Sequence, residues 1–221
     1  MGLLKTPLCM ETEFAFGPRD LITDVPGVRA GHCTLSNGDI QTGVTALLPA
    51  ENIYAHKLLA ASHVINGFGK TAGLVQVDEL GQIETPILLT NTLSVGVCWQ
   101  ALCKRMVGEN PNLKTVNPII CECNDSFLND IRAFAVTENT AFAALDEAAD
   151  VFSEGAVGAG RGMVCHGLSG GIGSASRQVT IEGKTYTLGA LVLANHGRME
   201  DLTLHGDPVG RRIRKRIEQG N

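Results

Sequence analysis

The side chains able to do chemistry fall into a few short runs. In Cys121-Glu122-Cys123-Asn124-Asp125 a strand would turn both thiols to one face and Glu122 and Asn124 to the other. The thiols would then pack inward. The carboxylate would project into whatever lies opposite, to hold a cationic group or serve as a general base; an ion-paired strand residue would give the same pattern. In Ala194-Asn195-His196-Gly197 an asparagine this close to a glycine is a common turn residue, and its amide is also a suitable donor to an oxyanion. Cys165-His166 and His32-Cys33 raise the idea of a thiol nucleophile with an imidazole base. Adjacent strand residues point to opposite faces, so neither pair works as a dyad by itself, and a buried thiol beside a surface imidazole is expected.

Two glycine runs invite phosphate chemistry and fall short of it. Gly67-Phe68-Gly69-Lys70-Thr71 needs a further glycine five residues before Gly69, where Val64 stands, so successive N–H groups cannot wrap a phosphate in the required way. Gly158-Ala159-Gly160-Arg161-Gly162 lacks dinucleotide-loop spacing. The second run belongs to a denser segment, with eight glycines between Gly155 and Arg177. Apolar residues are interspersed, so this is no flexible linker; such density suits a site walled by main chain, or a set of tight turns between short strands.

The elements that must position these residues read as a mixed set. Strands are predicted at residues 28–34, 42–48, 86–90 and 117–123, and a hairpin at 178–181 and 186–193 across Glu182-Gly183-Lys184. Residues 58–65 suit either helix or strand. Helical spacing runs through 93–106, with Thr92 or Ser94 as cap, and through Ala141, Ala144, Leu145, Ala148, Val151 and Phe152. Residues 1–20 read as an irregular lead-in and 209–219 as a short charged helix. Mixed strands and helices with hairpins point to α+β, or a layered αββα arrangement, rather than a doubly wound sheet.

Composition bounds the function. The chain has 221 residues, 44% of them hydrophobic, and a formal charge of −5: enough for one domain with a sizeable core, with no second domain or linker evident. The acidic balance argues against general nucleic-acid or anionic-membrane binding, and the basic run Arg211 to Arg216 reads as a solvated helix face. No apolar run reaches transmembrane length and no secretory signal pattern opens the chain, so a cytoplasmic protein is expected. Seven cysteines at irregular spacing, with no Cys-x-x-Cys pair, fit neither a disulfide framework nor a structural zinc site.

Taken in order, several blocks resemble the DmpA-type family of self-processing aminopeptidases, which includes L-aminopeptidase/D-amidase enzymes and β-peptidyl aminopeptidases. They are residues 22–32, Thr42-Gly43-Val44-Thr45, Asn66 to Lys70, Glu84 to Gly96, Glu122 to Ile131, Val157 to Gly160, Gly170 to Arg177 and Ala194 to Gly197. The resemblance implies an αββα sandwich akin to N-terminal-nucleophile hydrolases and to ornithine acetyltransferase, with no metal and no organic cofactor. It implies that this chain is an α subunit forming one domain, released by a self-cleavage after Asn221. The nucleophile would then be the Ser or Thr that begins a separate β chain. It further implies that Glu122 pairs with the substrate ammonium, that Asn195 donates to the oxyanion, and that Asn124 and Gly160 line the substrate site. Heterodimers of this kind commonly assemble as tetramers and act on short peptides, amides or esters. Asn124 departs from the Tyr or Trp of several relatives, and Ser169 from an expected lysine. Acyl transfer of the ornithine acetyltransferase type, and a non-catalytic scaffold subunit, are the rival readings.

Overall fold

The computed structural model describes residues 14–220. In order come β1 (Ala15–Phe16), β2 (Arg29–Asn37), β3 (Ile40–Leu48), β4 (Leu58–Leu59), α1 (Leu74–Leu80), β5 (Gln82–Ile83), β6 (Ile87–Asn91), α2 (Val95–Glu109), β7 (Ile119–Cys123) and α3 (Glu138–Asp146). They are followed by β8 (Val164–Cys165), β9 (Leu168–Ser169), β10 (Gly171–Ile181), β11 (Lys184–Ala194) and α4 (Val209–Glu218).

One sheet has the order β2-β3-β6-β7, antiparallel except for its last pair: β6 and β7 run parallel, with Thr90 opposite Glu122 and Asn91 opposite Cys123. A second sheet has the order β1-β10-β11. Helices α2 and α3 pack on each other and on the first sheet. Val44, Ala46, Leu88 and Ile120 from the strands meet Cys98, Leu102 and Met106 of α2 and Ala141, Ala144 and Leu145 of α3 in one buried cluster. The small residues on α3 let it lie close to the strands, and Thr137 and Thr140 start it with a reciprocal pair of side-chain to main-chain bonds. The 3-10 turn Gly158–Gly160 touches β2, β3, β6, β10 and β11 and so lies between the two sheets.

The architecture is α+β and layered: helices, then the four-stranded sheet, then the three-stranded one. α4 packs against the turn Met199–Asp201, and no described α-helix makes extended contact with β10 or β11. The far face of that hairpin is left carrying exposed Tyr186, Leu188 and Val192.

Several expectations need correcting. The helical pattern at 141–152 becomes α3 only as far as Asp146, because Ala149 is captured by two backbone hydrogen bonds to Ala30 on the sheet edge. The hairpin strands extend well past 178–181 and 186–193, since Gly171 and Gly173 join the ladder against Ala194 and Val192. Ser94 stands at the start of α2 without making a side-chain cap; Asn91 Oδ1 accepts from Leu93 N instead. Of residues 58–65 only Leu58–Leu59 form a strand, and α1 lay hidden among glycines. The lead-in at residues 1–13 lies outside the described residues.

Candidate active site

The parallel pair ends in a cluster of polar side chains. Alternation along β7 sends Ile120 under the helices, while Ile119 and Cys121 join a smaller apolar cluster with Val77 and Ile83. Glu122 is in step with Ile120 but lies at the strand end. Ala72 bridges to Ile120, which runs the preceding glycine loop along the free edge of β7. There Lys70 N–H donates to Glu122 Oε1 at 3.0 Å. The loop that looked half-suited to phosphate thus spends a main-chain donor on a carboxylate, whose charge repels an anion. Glu122 Oε2 is buried with no hydrogen-bond partner in the described structure. An orphaned carboxylate oxygen costs stability unless something else satisfies it.

Asn195 follows the last residue of β11. Its Oδ1 accepts from Val164 N at 3.2 Å, and its Nδ2 donates to Asn124 O at 3.0 Å. The amide plane is thereby fixed from two sides while one of its two N–H donors stays uncommitted. Asn124 contributes through its carbonyl, because its Oδ1 closes a local turn by accepting from Ser126 N at 2.8 Å.

Gly160 is buried in main-chain packing: a Cβ there would meet Gly171 Cα and Ile172 N at 2.7 Å. Its carbonyl accepts from Met163 N, one residue before the N–H that holds Asn195. Gly160, Asn195, Asn124 and Glu122 therefore lie along one connected string, with Gly160 as its buried support. Asn221 lies outside the described residues.

Two further polar groups belong to the same end of the strands. Asp125 is 1% exposed; Asn129 Nδ2 donates to its Oδ1 at 3.1 Å, and its Oδ2 is unpartnered, as is the buried hydroxyl of Thr92. Burial raises the Asp125 pKa, against the opposing effect of the neighbouring Thr42, Asn129 and Asn91 side chains. The sequence marks Asp125 only as a neighbour of Glu122. Its enclosure depends on residues brought together from β3, β6 and a later loop.

The expected buried thiol beside a surface imidazole is found at neither pair: His32, Cys33, Cys165 and His166 are all half-buried, and Cys165 Sγ lies within 4.8 Å of a His166 nitrogen. His32 Nε2 donates to Ser153 O at 3.0 Å, which makes Nδ1 the acceptor for the Thr45 hydroxyl at 2.9 Å; Cys33 packs against the core. Cys165 gains an imidazole from elsewhere in the chain, His196, with Sγ 3.6 Å from Nδ1.

The pattern of peptidase family S58 matches residues 20–221. The chain belongs to that family. Among curated relatives, the β-peptidyl aminopeptidase BapA of Sphingosinicella xenopeptidilytica is 38% identical over 211 residues, 90% of this chain and 52% of the relative. Of solved structures, the PH0078 protein of Pyrococcus horikoshii OT3 superposes with a TM-score of 0.90 at 51% identity, covering 92% of this chain and 62% of that one. The L-aminopeptidase D-Ala-esterase/amidase of Ochrobactrum anthropi superposes with a TM-score of 0.86 at 34% identity, covering 92% and 60%. That protein is described as a prototype of the serine aminopeptidases and a variant of the Ntn-hydrolase fold. This S58 chain has the same fold over the part it shares, and it spans about half the length of the curated relative (52%).

Proposed function

We propose that this chain is the α part, one folded domain, of a cytoplasmic serine N-terminal-nucleophile aminopeptidase. The enzyme releases N-terminal L-, D- or β-residues from short peptides, amides or esters. The observation that carries the reading is Glu122: a carboxylate held by Lys70 N–H, with its second oxygen buried and unpartnered. A substrate ammonium would satisfy that oxygen and restrict attack to the first residue. Membership of a peptidase family, and similarity to proteins named as aminopeptidases, favour hydrolysis over acyl transfer or a scaffold role.

In this reading a peptide bond after Asn221 breaks and a new N-terminal Ser or Thr is freed on a β part. Its α-amine, with an ordinary pKa of about 7.7–8.0, takes the proton of its own hydroxyl. The hydroxyl oxygen attacks the substrate carbonyl, and the free N–H of Asn195 donates to the oxyanion. Collapse expels the remaining peptide as an amine, which receives the proton, and water then cleaves the ester. The exposed apolar face of β10–β11 fits burial by the β part, with further αβ units assembling around it. The six free cysteines among the described residues accord with a reducing compartment.

Glu122→Gln in the full-length protein tests the assignment. Chain cleavage should proceed, seen as two bands on a denaturing gel, while turnover of amino-acid p-nitroanilides falls at least tenfold. Wild-type turnover in that variant would falsify the role given to Glu122.

A further inference from the structure

The turn between β8 and β9 and the segment after β11 bring three metal-ligating side chains to one point. Cys165 Sγ, one nitrogen of His166 and one of His196 all lie within 4.8 Å of one another. The sequence hides this, because the two segments are about thirty residues apart and the spacing matches no zinc signature. The backbone locks the segments together through His166 N donating to His196 O at 2.7 Å.

The three side chains are close enough to share one cation. A tetrahedral centre with Zn–S of about 2.3 Å and Zn–N of about 2.0–2.1 Å separates sulfur from nitrogen by about 3.6 Å. Cys165 Sγ stands 3.6 Å from His196 Nδ1 and 3.9 Å from its Nε2, so the exposed His196 ring turns to aim one lone pair at an ion held by the sulfur. His166 Nδ1 lies 3.0 Å from the carbonyl oxygen of Arg198. A carbonyl only accepts, so Nδ1 carries the proton and Nε2 is left with its lone pair. This is the outer-shell contact that commonly orients a ligating histidine. The ring is also seated: a Cβ on Gly197 would come within 2.3 Å of it, so only glycine allows this approach. His196 is exposed and its two partners half-buried, so a cation has an entry path. Cys165 and His166 also line an open cleft of about 380 Å³ with Leu168, Ala194 and Leu202.

We propose that Cys165, His166 and His196 form a three-ligand site for a borderline-soft divalent cation of the Zn²⁺ class, with the fourth position left to solvent. A thiolate with two imidazoles favours such an ion over Mg²⁺ or Ca²⁺, which take oxygen ligands. Binding releases the thiol proton and forms one metal–sulfur and two metal–nitrogen bonds. His196 is bonded directly to Asn195, so occupancy would clamp the residue that carries the free amide donor.

The test uses purified full-length protein, stripped with chelator and titrated with Co²⁺, whose thiolate complexes absorb in the near ultraviolet. One equivalent of Co²⁺ should produce the charge-transfer band, and one equivalent of Zn²⁺ should displace it while Mg²⁺ does not. Cys165→Ser should abolish the band; His196→Gln, an exposed substitution that leaves the core untouched, should weaken Co²⁺ binding at least tenfold. Cys103→Ser should leave both unchanged. Absence of the band in the wild type, or its persistence in Cys165→Ser, overturns the site, as does unaltered Co²⁺ affinity in His196→Gln.

Discussion

At the scale of single residues, the candidate site is marked by buried polar atoms left unsatisfied. Asn195 has its oxygen and one N–H committed to Val164 and Asn124, which leaves one N–H free, and in the proposed function that N–H is the preorganised oxyanion donor. Asn195→Ala should slow amide hydrolysis by about two to three orders of magnitude, the usual cost of one oxyanion donor. Steady-state kinetics on the processed enzyme checks this, and near-normal kcat would remove Asn195 from that role. The thiols around Glu122 do other work. Burial, then the Glu122 and Cys121 charges, push Cys123 up to about 11, and burial pushes Cys98 up to about 11 despite a bond from Thr90. At about pH 8 only about one in a thousand of either would be thiolate. Iodoacetamide should therefore label Cys98 and Cys123 far more slowly than a free cysteine, with peptide mass mapping as the readout. Labelling at the free rate would contradict their packing role. The residue types were legible in the sequence. The orphaned oxygens of Thr92, Glu122 and Asp125 were not, because orphaning is a property of enclosure and not of type.

At the scale of elements, His32 shows how β2 is tied to the segment leading into the glycine-rich turn. Its ring is held between the Thr45 hydroxyl and the Ser153 carbonyl, and burial lowers its pKa against the opposing effect of Ser153. Below about pH 6.5 the unfolded chain takes up a proton that the folded ring resists, so this contribution to stability is present above that pH and is lost as the pH falls. The thermal midpoint should drop between about pH 7.5 and 5, and His32→Asn should flatten that slope. An equally steep slope in the variant would show that other groups carry it. Helix and strand types were mostly legible from periodicity, as α2 and β7 illustrate. Extents were not: Ala148, Val151 and Phe152 continue a helical pattern, yet α3 stops at Asp146 and the sheet edge at Ala30 captures Ala149. A long-range backbone pair outweighs local spacing there.

At the scale of the whole molecule, the described residues supply the helical layer and both sheets but leave one sheet face apolar and open. Leu188 is 66% exposed in the middle of that face. Burying such a side chain contributes about 1.5–3 kcal/mol, so a partner that covers it gains from each residue of the row. Leu188→Glu in full-length protein should loosen the proposed α and β parts, seen as separate peaks in size-exclusion chromatography on dilution. An unchanged complex would place the contact elsewhere. By itself the sequence determined the residue types, most of the elements and, through blocks spread over its length, the family. Those follow from local pattern and from order along the chain. Only the tertiary structure decided that the glycine loop donates to Glu122, that Asn124 meets Asn195 through its carbonyl, that Gly160 is buried in main-chain packing, and that Cys165 meets His196. Each of these depends on segments distant in sequence closing to hydrogen-bond range, and no local spacing encodes that distance.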